Sequence, residues 1–85
     1  MLELKSYTVI NDYVTVHYRD DRRHVRHTAA PRGGCLWLGE IVVTNLANGQ
    51  RKNISSTMPI FDQEDAQRPE RLAYLNGLWE KFLLK

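Results

Sequence analysis

The sequence predicts an α+β domain: an antiparallel meander of four or five strands with one amphipathic C-terminal helix packed on it. Three observations lead there. Residues 13–19, YVTVHYR, alternate between two kinds of side chain with period two. Residues 35–46, CLWLGEIVVTNL, form a nearly continuous apolar run. After Pro59 the apolar spacing becomes that of a helix. An SH3-like small barrel with an added helix suits the same short hairpins and is the alternative.

The first hairpin is KSYTVI, the turn Asn11-Asp12, and YVTVHYR. Asparagine and aspartate tolerate the positive φ that a tight turn demands. In the second strand Val14, Val16 and Tyr18 point one way, and Tyr13, Thr15, His17 and Arg19 the other. Asp20-Asp21 is the next turn, followed by RRHVRHTAA. That stretch is poor in apolar residues, so it is expected at a sheet edge or as an exposed arm. PRGG breaks the chain. The apolar run from Cys35 is then expected to be central, with Gly39 marking a bulge or bend. Asn48-Gly49 is the strongest hairpin turn, returning the chain into RKNISSTM.

From residue 62 onward, Asp62 suits an N-cap, with Glu64 and Asp65 at the positive end of the dipole. Proline deep in a helix costs about 3 kcal/mol. The expectation is therefore a short turn over 62–67 and a main helix starting near Pro69. Leu72, Leu75, Leu78, Trp79, Phe82 and Leu83 then share an arc of roughly 140° facing the sheet. Ala73, Tyr74, Gly77, Lys81 and Leu84 lie opposite. Of these, Tyr74, Gly77 and Leu84 are a candidate interface that would support a homodimer.

At 85 residues the chain is one domain, with a β-rich part over 1–58 and a helical part over 62–85. There is neither an apolar run of membrane-spanning length nor the pattern of a signal peptide, so a soluble, cytoplasmic protein without a membrane partner is expected. A single cysteine allows no internal disulfide. Cys35, beside apolar neighbours, is expected to be a small core residue.

Chemistry is harder to find. His17, His24, His27 and Cys35 are the candidate metal ligands. His24 and His27 fall on opposite faces of a strand and stand among arginines that repel a cation, so no metal or cofactor is expected. The motifs of serine hydrolases, zinc proteases and phosphate-cradling loops are absent. A metal-free ribonuclease would need His24, His27, Arg23, Arg26 and Tyr18 to converge as base, acid and phosphate clamps. An exposed strand is a loose scaffold for that, and the chain is read as non-enzymatic.

Binding is the reading that remains. The net charge of +2 is too small to imply nucleic acid. The basic residues are concentrated, however, in RDDRRHVRH, residues 19–27. Arg19, Arg22, Arg23, Arg26 and Arg32 are the candidate contact set, with Tyr18 as an aromatic anchor. The expected function is that of a small adaptor or inhibitor recognising an acidic protein surface. Small domains of this kind commonly act on larger machines, including those encoded by bacteriophages. The alternative is a DNA- or RNA-binding regulator that places the same arginines on phosphates. If the segment is a strand from residue 22, Arg23 faces with Val25 and His27, while Arg22, His24 and Arg26 form the outward row.

Overall fold

The computed structural model describes residues 1–82. Leu83 and Leu84 of the expected helix faces, and the side chain of Phe82, lie outside the described part. Five strands run in the order of the sequence: β1 (Glu3–Ile10), β2 (Tyr13–Arg19), β3 (Arg23–Pro31), β4 (Trp37–Asn45) and β5 (Arg51–Ser56). All four pairings are antiparallel, giving an open meander β1-β2-β3-β4-β5. Among the described residues β1 and β5 do not pair, so the sheet does not close and the barrel alternative falls. A short helix α1 (Gln63–Ala66) and the main helix α2 (Pro69–Phe82) follow, with Pro69 at the first helical position as proline prefers.

The strand that the sequence assigned to an edge is the middle of the sheet. β3 pairs with β2 through Tyr18↔Val25 and with β4 through Val25↔Val43. Its weak apolar content misled because only one of its faces is covered. Central position requires two hydrogen-bonded neighbours, not two apolar faces.

Period two builds the core on that covered face. The cross-strand rows are Tyr7–Val16–His27–Ile41–Ile54 and Leu4–Tyr18–Val25–Val43. Ile60 from the connector, Ala66 from α1, and Leu75, Leu78 and Trp79 from α2 pack against them. Leu72 is only partly buried. The helix therefore uses the apolar arc its spacing predicts.

Local chemistry fixes the turns. Asn11 takes the left-handed conformation at φ 56°, as a two-residue hairpin turn requires. The loop Leu46–Gln50 is longer than an Asn-Gly hairpin, with Gly49 at φ 76°. Asp62 caps α1, its carboxylate accepting from the backbone N–H of Asp65 at 2.7 Å. Cys35 does not begin β4. The loop from Arg32 extends to Leu36, closed by Arg32 N–H donating to the Leu36 carbonyl, and Cys35 is exposed in it. Two left-handed glycines, Gly33 and Gly34, shape this loop and turn the cysteine away from the core.

Gly39 lies in ladder register opposite Ala29, where neither a bulge nor a bend is needed to explain it. A Cβ there would overlap the Thr28 carbonyl oxygen, a backbone atom. Gly77 differs: a Cβ on it would meet nothing within 4 Å among the described residues. These two glycines give opposite expectations. Gly39→Ala should destabilise the fold by about 1–3 kcal/mol through overpacking. Gly77→Ala should stabilise it by up to about 1 kcal/mol, the helix propensity difference. Thermal unfolding of the two variants checks both signs.

Candidate binding face

The covered face absorbs part of the expected contact set. Tyr18 is fully buried, and its hydroxyl donates to the Ala66 carbonyl at 2.8 Å, tying β2 to α1. Burial raises its pKa, with Arg71 opposing. It is a core residue and cannot serve as a surface anchor. Arg23 is likewise removed from the contact set. Its guanidinium sits 3.0 Å from the Asp20 carboxylate, both side chains are under 10% exposed, and it lies over the Trp79 ring at 5.6 Å. Asp20 also accepts from the backbone N–H groups of Arg22 and Arg23. Burial works against its charge, but those N–H groups and the Arg23 cation prevail and hold its pKa below the usual carboxylate range. The Asp20–Arg23 pair is thus a clamp between the β2–β3 turn and α2.

A second buried pair lies on the helical side. Arg71 donates to the Pro59 carbonyl at 2.8 Å and to Asp65 at 3.1 Å, while Asp65 accepts from the Phe61 N–H. At about 100° per residue Arg71 falls inside the apolar arc, between Leu78 and Phe82, so helical spacing carried the signal and only its charge kept it out of the expected core.

His27 belongs to the interior too. It is fully buried between Val16 and Ile41 in register, and neither ring nitrogen has a well-formed hydrogen-bond partner among the described residues. Burial, aided by the Arg71 charge, pushes its pKa from 6.5 to about 4, against the influence of the Met58 backbone and Asp65. The ribonuclease constellation is therefore split. Tyr18, Arg23 and His27 lie on the covered face, His24 and Arg26 on the other.

The other face is open: none of the helical residues packs on it. Arg19 and His17 from β2 and His24 and Arg26 from β3 stand on it as a square. His17 is opposite Arg26, and Arg19 opposite His24. The two histidines lie on one diagonal, with His17 Nδ1 and His24 Nε2 3.0 Å apart, and the arginines on the other. Burial, then His17, Arg19 and Arg26, lower the His24 pKa. Glu40 from β4 pairs with Arg26 at 2.8 Å, and Thr28 accepts from the same guanidinium at 3.1 Å. The next row continues through Thr15 and Thr28, whose hydroxyls are 3.3 Å apart.

Towards the other end of this face Arg32 donates to the Tyr13 hydroxyl at 2.7 Å and lies over its ring at 5.2 Å. Leu36, Leu38 and Ile10 are exposed near that end. Arg22 is exposed at the turn, its guanidinium 6.0 Å from the Trp79 ring. Of the expected contact set, Arg19, Arg22, Arg26 and Arg32 thus remain at the surface. Arg19 and Arg26 come together, and Arg32 joins Tyr13 elsewhere.

The His17–His24 pair went unforeseen because the sequence reading did not propagate the register of the β2–β3 hairpin. The turn residues are Asp21 and Arg22, one position later than the expected Asp20-Asp21, and that shift pairs Arg19 with His24 and His17 with Arg26. On the helix, Tyr74 is half exposed and Gly77 exposed, and Leu84 of that candidate interface lies outside the described residues. Among the described residues no group of three or more His, Cys, Asp or Glu is placed to hold a metal ion, and no helix is long and apolar enough to cross a membrane. Comparison with protein-family models, with curated proteins and with solved structures finds no match.

The neutral interior histidine has a consequence for pH. Because its folded pKa is depressed, the unfolded chain binds the extra proton first. The stability His27 allows is fully present above pH 6.5 and is lost as pH falls towards about 4, by about 3 kcal/mol. His27→Leu should match the wild type in stability at pH 7, since no hydrogen bond is lost, and should show a smaller loss over that window. Urea unfolding at several pH values measures it. An unchanged pH slope in the variant would show that His27 is not the group responsible.

Proposed function

We propose that this protein is a non-enzymatic recognition module, an adaptor or inhibitor, whose open sheet face docks on an acidic protein surface. The observation that supports this reading is the separation of duties between the two faces. Helix α2 and the core occupy one, and the other presents Arg19, Arg26, His17 and His24 at one end with Arg32 and Tyr13 towards the other. Arg19 and Arg26 serve neither the core nor the helix contact, so their presence on two adjacent strands is not explained by packing. Arginine suits bidentate contact with carboxylates, and an aromatic-arginine pair is a frequent hot-spot composition.

A nucleic-acid partner is the second reading, and one observation favours it. Asp20, which would repel phosphates at a hairpin tip, is instead folded away against Arg23. The two readings separate by experiment. Tagged protein is used to capture partners from host extract with and without nuclease. Capture of one defined protein that survives nuclease, weakens with salt and is lost in Arg19→Glu/Arg26→Glu, at a melting temperature within a few degrees of wild type, is the expected result. Tyr74→Ala, on the helix, should leave capture unchanged. Capture that persists in the double variant would reject the open face as the interface, and loss on nuclease treatment would favour nucleic acid.

A further inference from the structure

The square of Arg19, His17, His24 and Arg26 has more specific chemistry than a basic surface. Side chains two apart on a strand are separated by roughly 7 Å, and facing residues on neighbouring strands by roughly 5 Å. Four nitrogen-bearing side chains therefore frame one spot between β2 and β3, with arginine on one diagonal and histidine on the other. Acids border the square on both sides: Glu40 engages Arg26, and Glu3, Asp20 and Asp21 line a hollow shared with Arg19. On β1, Glu3 is opposite Arg19 and Ser6 opposite His17. On β4, Thr44 is opposite His24 and Val42 opposite Arg26. Glu3 pairs with Lys5, and Arg51 lies beyond Thr44 on β5.

We propose that this square is a proton-linked site for a tetrahedral oxyanion of the phosphate class. It deepens the reading of the open face as the binding surface, but it depends on that reading only for the source of the anion. Arg26 now gives its guanidinium to Glu40 and Thr28, a half-exposed pairing of the kind worth little in water. Exchanging it for an anion beside the histidines would set a guanidinium fork on either side of that anion, which suits oxygens pointing in several directions better than a carboxylate with two. The histidines supply the proton linkage. When both are neutral, one ring N–H donates to the other ring's lone pair, and the pair satisfies itself at 3.0 Å. A first proton enters the outer lone pair of the donor ring and leaves that bond in place; a second, on the acceptor ring, leaves a hydrogen on each of the facing nitrogens. They can no longer bond to each other, and both become donors to an oxygen placed between the arginines. Burial first, and then the neighbouring His17, Arg19 and Arg26, lower the His24 pKa; a bound anion offsets the part due to those neighbours. Anion binding and proton uptake therefore favour each other.

The test uses the intact protein and inorganic sulfate, which stays a dianion across the pH range, so that any pH dependence belongs to the protein. Sulfate should bind saturably, shifting the His17 and His24 ring resonances. Affinity should rise at least about fivefold from pH 7.5 to pH 5.5, and calorimetric heats should vary with buffer ionisation enthalpy as protons are taken up. Arg19→Ala/Arg26→Ala should weaken binding at least about tenfold. His24→Gln should bind sulfate with a clearly weaker pH dependence, since one histidine of the pair remains, whereas the interior variant His27→Leu should keep the wild-type profile. A phosphoserine peptide that binds more tightly than free phosphate would assign the anion to a protein partner, and equal affinities would assign it to free phosphate. Absence of saturable shifts at the two rings, or an unaltered pH profile in His24→Gln, would overturn the site. Because no partner is needed, that failure is distinct from failed partner capture.

Discussion

The whole arrangement depends on β3 being held between two hydrogen-bonded neighbours. Once Arg23–Pro31 pairs with β2 on one side and β4 on the other, its side chains have only two directions available. Val25, His27 and Ala29 go beneath the helix, while His24, Arg26 and Thr28 go to solvent. A one-residue slip would expose Val25 and force Arg26 into the core. The apolar partners Val16, Tyr18, Ile41 and Val43 make that slip prohibitive, because each meets an inward β3 residue in the present register. Core registration therefore decides which side chains form the cationic face.

Where charge does enter the covered side, it is paired. Asp20 with Arg23 closes the turn under Trp79, and Asp65 with Arg71 joins the connector, α1 and α2. Buried pairs of this kind contribute little net stability against apolar replacements, yet removing one partner typically costs about 3–5 kcal/mol. Their effect here is positional. They fix where the helix crosses the sheet, and so which sheet face stays free. His27, like the Trp79 indole N–H, is a polar group buried without a well-formed partner, and the imidazole survives there by remaining neutral.

Much of this was legible in the sequence. Strict alternation in YVTVHYR placed β2 to the residue, Asn11 announced its turn, and Pro69 marked the start of the main helix. Alternation also sorted residues 23–27, with Arg23 and His27 inward and His24 and Arg26 outward, but Arg22 of the expected outward row stays in the turn near Trp79. The errors share a cause. Scarcity of apolar residues was taken for an edge strand, whereas a central strand of a one-sided sheet needs only one apolar face, and His27 supplied part of it. Tyr18 was assigned two incompatible places, the core by its period and the surface by its chemistry, and the period was the stronger guide. Cys35 followed from an apolar neighbourhood, but Gly33 and Gly34 carry the loop past it. The histidine diagonal depends on where the β2–β3 turn falls, and the buried ion pairs on which carboxylate the fold brings to Arg23 and Arg71, information that period and propensity do not carry.

The central claim is the position of β3, and amide hydrogen exchange resolved by residue tests it most directly. Between two partners, inward and outward residues alike have their N–H groups hydrogen-bonded. Consecutive amides from His24 to Ala30 should therefore all be strongly protected, exchanging near the rate set by global unfolding. An edge strand would leave every second N–H facing solvent. Alternating fast and slow exchange along residues 24–30 would contradict the account, and with it the sorting of charge on which the open face rests.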